Sequence, residues 1–207
     1  MSINKYYDIN KLEVGVDEVA RGCLAGPVFS AAVIWPKEVE DEYFENQIKD
    51  SKKLSRQKRH ILRQFIEENA IDFSVSYVTN TVIDKVNILN ATHKAMHNAL
   101  DNLNVVPELI LVDGNSFKPY YNNDELIENI CVVEGDSKYL SIACASILAK
   151  EYHDDYIKKL CNDDPKLNVY DWTNNMCYGT KKHIDAIKKH GLSHYHRKTF
   201  GICKTIK

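Results

Sequence analysis

The segment Leu109-Ile110-Leu111-Val112, halted at once by Asp113-Gly114, constrains this chain more than any other. Four consecutive apolar residues without alternation need cover on both sides. A strand finds that cover inside a parallel sheet flanked by helices. Ile130 to Val133 repeats the pattern and stops at Glu134-Gly135-Asp136. Two buried strands that both run out into acids and glycine argue for an α/β sheet with a polar rim.

The remaining periodicity fits this frame. Leu12 to Asp17 and Val28 to Trp35 read as strands on either side of the glycine-containing segment Ala20 to Pro27. Ile61, Leu62, Phe65 and Ile66 fall at helical spacing within Ser55 to Asn69, with Ser55 placed to cap the first turn. Phe73 to Val78 alternates as a third strand, and Ile88, Thr92, Ala95, Met96, Ala99 and Leu103 mark one face of a second helix that ends before Pro107. A further helix begins near Leu140, where Ala143, Cys144, Ala145 and Ser146 are small enough to let it pack closely on a neighbour. Helix prevails from there onward. The expected architecture is a mixed sheet flanked by helices, residues 1–160, with a basic helical C-terminal extension, residues 161–207, in the same compact unit. A chain of 207 residues, 44% hydrophobic, has ample material for such a core.

A net charge of −2 hides an uneven distribution. From Lys181 to Lys207 eight Lys and Arg residues stand against the single acid Asp185, and a second basic run spans Lys52, Lys53 and Arg56 to Arg59. Such runs serve phosphates, although solvated helix faces produce the same counts. No stretch approaches the roughly 20 apolar residues of a membrane span, and the first residues lack the apolar run of a signal peptide, so a soluble intracellular protein is expected. The six cysteines include no C-x-x-C pair. Reduced thiols, rather than a zinc site, are expected.

Chemistry is expected where the strands end. Asp17-Glu18 closes the first strand, Asp113 the fourth and Asp136 the fifth, so acids distant in sequence share one rim of the sheet. An Asp-Gly pair taken singly is usually a turn. Several carboxylates together repel one another unless a divalent cation neutralises them, and Mg2+ or Mn2+ suits an all-oxygen site.

The run VGVDEVARGCLAGPVFSAAVIWP, Val14 to Pro36, resembles the opening signature of the ribonuclease HII family. Further similar motifs follow in the family's order: DSKKLS from Asp50, LVDGN from Leu111, GDSKYLSIACASILAK from Gly135, YGTKKH from Tyr178 and HRKTF from His196. The resemblance implies a ribonuclease H-like sheet in which Asp17, Glu18, Asp113 and Asp136 hold two divalent ions. It also implies a monomeric endonuclease that cuts the RNA strand of RNA–DNA hybrids, and ribonucleotides embedded in duplex DNA, leaving 5′-phosphate and 3′-hydroxyl ends. Ala20, Arg21 and Gly22 match the family's ribose-sensing Gly-Arg-Gly turn, and Tyr178 matches a tyrosine that stacks on the sugar after the ribonucleotide. Ser51, Lys52, Lys53, Asn115, Ser146, Lys150 and Arg197 match positions that contact nucleic acid. The family's HIII-type relatives, and a non-catalytic hybrid binder, fit less well: the run from Arg21 to Pro27 is of the HII kind and the acid set is intact. The departures are Ala20 for the first glycine of the turn, Glu134 for a lysine, His153 for an arginine, and Asn175-Met176-Cys177 for His-Lys-Gly. They are expected to weaken or alter substrate recognition, and restoring glycine at 20 to favour isolated ribonucleotides by roughly threefold to tenfold.

Overall fold

The computed structural model describes residues 3–40, 42–49, 51 and 54–206. Within them six strands form one mixed sheet: β1 Glu13–Val19, β2 Val28–Ile34, β3 Asp72–Val78, β4 Leu109–Asp113, β5 Tyr120–Asn122 and β6 Glu125–Val132. The order across the sheet is β3-β2-β1-β4-β6-β5. The first three strands pair antiparallel, β1, β4 and β6 run parallel, and β5 returns antiparallel to β6. The helices are α1 Glu42–Glu45, α2 Arg56–Asn69, α3 Asn80–Val86, α4 Ile88–Asp101, α5 Leu140–Asp163, α6 Trp172–Asn175 and α7 Lys181–His190. Among the described residues no helix is long and apolar enough to cross a membrane.

Both faces of the sheet are covered, as the unbroken apolar runs require. Leu62 and Ile66 of α2 pack with Ala143, Ile147 and Leu148 of α5 against Ala31 and Val33 of β2. On the other face Met96, Ala99 and Leu100 of α4 meet Val14, Val16, Ala32, Ile110 and Val112. Each large aliphatic side chain buried in this way contributes about 1.5–3 kcal/mol. Ser55 caps α2 through Lys58 N, as its position predicts. In β1 the alternation sends Val14 and Val16 towards α4 and turns Gly15 towards α5. A Cβ on Gly15 would lie 2.1 Å from the Ser141 carbonyl carbon and 2.3 Å from Ile142 N, so α5 lies against β1 at backbone contact. The small residues of α5 allow that approach; Ala143, Cys144 and Ala145 are fully buried.

Two elements escape the periodicity. β5 has three residues and turns back through Asn123 and Asp124, both at positive φ, a two-residue hairpin whose signal lies in the turn alone. Helix α3 is a two-turn piece that starts after Thr79, whose side chain makes no capping hydrogen bond, and it is too short to show a face. Strand β1 also runs two residues beyond the expected end at Asp17: Glu18 and Val19 stay paired with Ser30 and Phe29 of β2.

The C-terminal segment packs onto the turn after β1. Ala20, Cys23, Leu24 and Ala25 share a cluster with Ile157, Cys161, Leu167, Trp172 and Ile187. Leu24 N donates to Cys177 O at 2.9 Å, Gly26 N to Tyr195 O at 2.9 Å, and short bridges join Cys23 with Tyr178 and Ala25 with His196.

Candidate active site

Register brings the acids together. β1 and β4 pair in parallel only as far as Val16 with Val112, so Asp17 and Asp113 are the next residues on two neighbouring strands as these begin to part. Strand neighbours lie about 4.8 Å apart. Asp17 is nearly buried and takes hydrogen bonds from Glu18 N at 2.6 Å and from the Ser146 hydroxyl on α5. Burial first, then the charges of Glu18 and Asp113, hold the Asp17 carboxyl well above the ordinary carboxylate range. Burial also raises Glu18, to which Asp113 adds, while Arg21 at 3.2 Å opposes the rise. Asp113 receives Gly135 N at 2.6 Å, and Gly135 is closely packed, since a Cβ there would lie 2.7 Å from Ile142 Cδ1 and 3.3 Å from Asp113 Oδ1. Asp136, the next residue, is buried in a 3-10 turn behind β6. Asp17, Glu18 and Asp113 are thus electrostatic neighbours, although among the described residues no three acids are drawn in to ion-holding spacing. The donor set is all oxygen, and a buried Asp17 raised by two adjacent carboxylates fits a divalent cation.

The turn after the acids leaves Arg21 and Gly22 exposed. A Cβ on Gly22 would meet nothing nearer than Tyr178 Cε1 at 3.9 Å, so the tyrosine ring, itself 37% exposed, stands beside open backbone. Lys150 Nζ lies 5.9 Å from that ring and pairs with Asp154 at 2.8 Å. Ala20 holds φ +72 and Cys177 φ +67, so both positions where the chain lacks the family's glycine keep a conformation that glycine favours. The Ala20 methyl is buried, 2% exposed, and faces the interior cluster rather than the open side.

Several expected nucleic-acid contacts have other duties. Arg197 is fully buried and donates to the carbonyls of Arg21, Gly26 and Pro27, so it meets backbone and not phosphate. Ser51 and Ser146 are buried and bonded to each other at 2.9 Å. His153, expected beside the substrate channel, is fully buried, with Nδ1 on Asp154 at 3.0 Å, so the departure there removes no charge from the surface. Asn115 and Glu134 are exposed. Lys52 and Lys53 lie outside the described residues.

The sequence reading missed the wall of the cleft. A cavity of about 120 Å³ is lined by Glu18, Arg21, Thr92, His93, Asp113 and Asn115. Burial lowers the His93 pKa, and the neutral ring donates from Nε2 to Ser116 O at 3.2 Å; His97, one turn on, reaches Lys118 O at 3.2 Å. The two histidines hold the segment after Asp113 against α4. Thr92 registered only as a member of the apolar face, and His93 carries no signal until that segment is seen to fold back.

A mixed sheet in this order, flanked by helices and with acids where its parallel strands part, has the ribonuclease H-like fold. The family model described as Ribonuclease HII matches residues 14–203. A Ribonuclease HII of Parabacteroides distasonis is 49% identical over 195 residues, covering 94% of this chain and 92% of that protein. The ribonuclease H2 structure from Pyrococcus horikoshii OT3 superposes with a TM-score of 0.74 at 24% identity, over 93% of this chain and 95% of that one. Bst-RNase HIII, solved in complex with Mn2+, gives a TM-score of 0.66 at 19% identity, over 93% of this chain and 68% of that one. This chain belongs to the ribonuclease HII family: it is a type 2 ribonuclease H, of a divalent-metal-dependent class acting on RNA–DNA hybrids.

Proposed function

We propose that this chain, as a monomer, cuts the RNA strand of RNA–DNA hybrids and also duplex DNA at embedded ribonucleotides, leaving 5′-phosphate and 3′-hydroxyl ends. Asp17, Glu18, Asp113 and Asp136 would hold two divalent ions, Mg2+ or Mn2+. When bound, such ions supply a nucleophile at neutral pH and offset charge on the leaving 3′ oxygen. The observation that carries this reading is the buried Asp17 carboxyl, crowded by Glu18 and Asp113.

The chain's own residues do the rest. Ser146 and the Glu18 N–H fix the Asp17 carboxylate, and Gly135 N fixes that of Asp113, so the donor oxygens are aimed before substrate arrives. The exposed residues Arg21 and Gly22 would present backbone polar groups, other than the Arg21 carbonyl that Arg197 holds, to a ribose 2′-hydroxyl, and the Tyr178 ring beside Gly22 would offer a flat face to the following sugar. Asn115, which lines the cavity with Glu18 and Asp113, and Lys150, beside the Tyr178 ring, would meet the strand's polar backbone.

Asp113→Asn tests the reading, because it removes one anionic oxygen while keeping the shape of the side chain and an acceptor for Gly135 N. Cleavage of a labelled hybrid should fall on the order of a thousandfold or more, with an unchanged melting curve. Turnover near that of the wild type in saturating Mg2+ or Mn2+ would remove Asp113 from the mechanism and overturn the four-acid reading.

A further inference from the structure

The turn that follows the acid pair is held by a residue 176 positions further along the chain. The guanidinium of Arg197 uses three nitrogens on three carbonyls: Nε on Gly26 at 2.9 Å, Nη1 on Arg21 at 2.9 Å and Nη2 on Pro27 at 3.0 Å. Its main-chain N–H donates to Leu24 O at 2.8 Å. The Phe200 ring covers it, with Cζ 5.1 Å from the ring centre. Every one of these acceptors is backbone, so Arg197 recognises the path of the chain from Arg21 to Pro27 and not its side chains.

This is an expensive way to hold a loop. Burying a guanidinium is unfavourable unless its donors are satisfied, and among the described residues no carboxylate forms an ion pair with it. Apolar packing would supply stability at lower cost. A planar fork of fixed donors supplies something else, namely a defined spacing between three carbonyls. One of the three belongs to Arg21, three residues from Glu18 and joined to it through the side-chain ion pair.

We propose that Arg197 is a positioning residue for substrate selection. It sets where the Arg21-Gly22 backbone stands relative to Asp17 and Glu18, and thereby how well a single ribonucleotide is distinguished from DNA. The inference rests on the reading that this turn meets the ribose. A long hybrid offers many registers and tolerates a displaced turn; an isolated ribonucleotide offers one.

The test compares initial rates on a duplex with one embedded ribonucleotide and on a continuous RNA–DNA hybrid, for wild type, Arg197→Met, Arg197→Lys and Gly22→Ala. Circular dichroism and melting define a temperature at which each variant is folded. Arg197→Met should lower the ratio of single-site to hybrid cleavage by about fivefold or more. Arg197→Lys, which keeps the charge and one donor point, should restore part of that ratio, and it carries the test if the Met variant does not fold. If both Arg197 variants slow the two substrates by the same factor, Arg197 merely stabilises the fold and the inference is overturned. Gly22→Ala separates this from the underlying reading, since its methyl fits without a clash. A shifted ratio in Gly22→Ala with wild-type ratios at Arg197 keeps the turn as the ribose contact and removes Arg197. An unchanged ratio in Gly22→Ala removes the turn itself.

Discussion

Ala20 occupies the left-handed region at φ +72, where a side chain costs about 1–2 kcal/mol relative to the right-handed form. Glycine would relieve that strain, at the expense of about 0.4–1 kcal/mol of extra freedom in the unfolded chain and about 0.8 kcal/mol for the lost burial of one methyl. These effects nearly cancel. Ala20→Gly should therefore leave the melting temperature within a few degrees of the wild type. The methyl faces the interior and the backbone already follows the path glycine would take, so the ratio of single-ribonucleotide to hybrid cleavage should change by less than about twofold. A larger gain for the isolated ribonucleotide would show that the alanine displaces the turn after all. Identity alone suggested an obstruction at this position; the sign depends on which way one Cβ points. Arg197 teaches the same lesson, since a guanidinium in a basic segment reads as a phosphate contact until three carbonyls from the other end of the chain surround it.

Strand β1 and helix α5 form the element pair on which the acids depend. Gly15→Ala would place a methyl 2.1–2.5 Å from the Ser141-Ile142 backbone, and a helix backbone cannot rotate out of the way as a side chain can. The cost should exceed about 3 kcal/mol, which for a chain of this length lowers the melting temperature by roughly 6–12 °C. The same displacement moves Ser146 from Asp17, so cleavage should fall further than unfolding explains. A melting temperature within 2 °C of the wild type would show that α5 is not pinned at this point. The long elements of this frame were legible from periodicity: β2, β4, α2, α4 and the start of α5 lie where apolar spacing and capping residues put them, and Asp113 ends β4 as its Asp-Gly stop implies. Strand β5 and helix α3 were not, because three residues or two turns carry too little pattern and gain their definition from neighbours. The neighbourhood of Asp17 and Asp113 was legible only in outline, since strand ends were readable but the parallel register that makes the two acids adjacent was not.

Across the whole molecule, the C-terminal segment is fastened by neutral histidines. His183 Nδ1–H donates to Tyr178 O at 2.9 Å, its Nε2 accepts from Trp172 at 2.9 Å, and it faces His196 Nε2 at 3.1 Å. His196 accepts from Ser193 N at 2.9 Å. Burial, then the neighbouring His183, pushes His196 down to about 4. A histidine depressed in the fold binds its proton more readily when unfolded. Its stabilising effect is therefore complete above about pH 6.5, and it is lost as pH falls from there towards about 4. The raised acids Asp17 and Glu18 act in the opposite direction, so the comparison must be made against a variant. Between pH 7.5 and 5 the wild type should lose more melting temperature than His196→Gln does. Equal losses in the two proteins would mean that the imidazole pair does not titrate with unfolding. The fastening has a consequence during synthesis. Arg21 leaves the ribosome early, but the side chain that secures its carbonyl is translated 176 residues later. Residues 13–113, which contain β1 to β4, are translated before Arg197. On the proposed roles, a growing polypeptide would carry Asp17, Glu18, Asp113 and Asp136 before the side chain that sets the neighbouring loop, and would cut with less selectivity until Arg197 emerges.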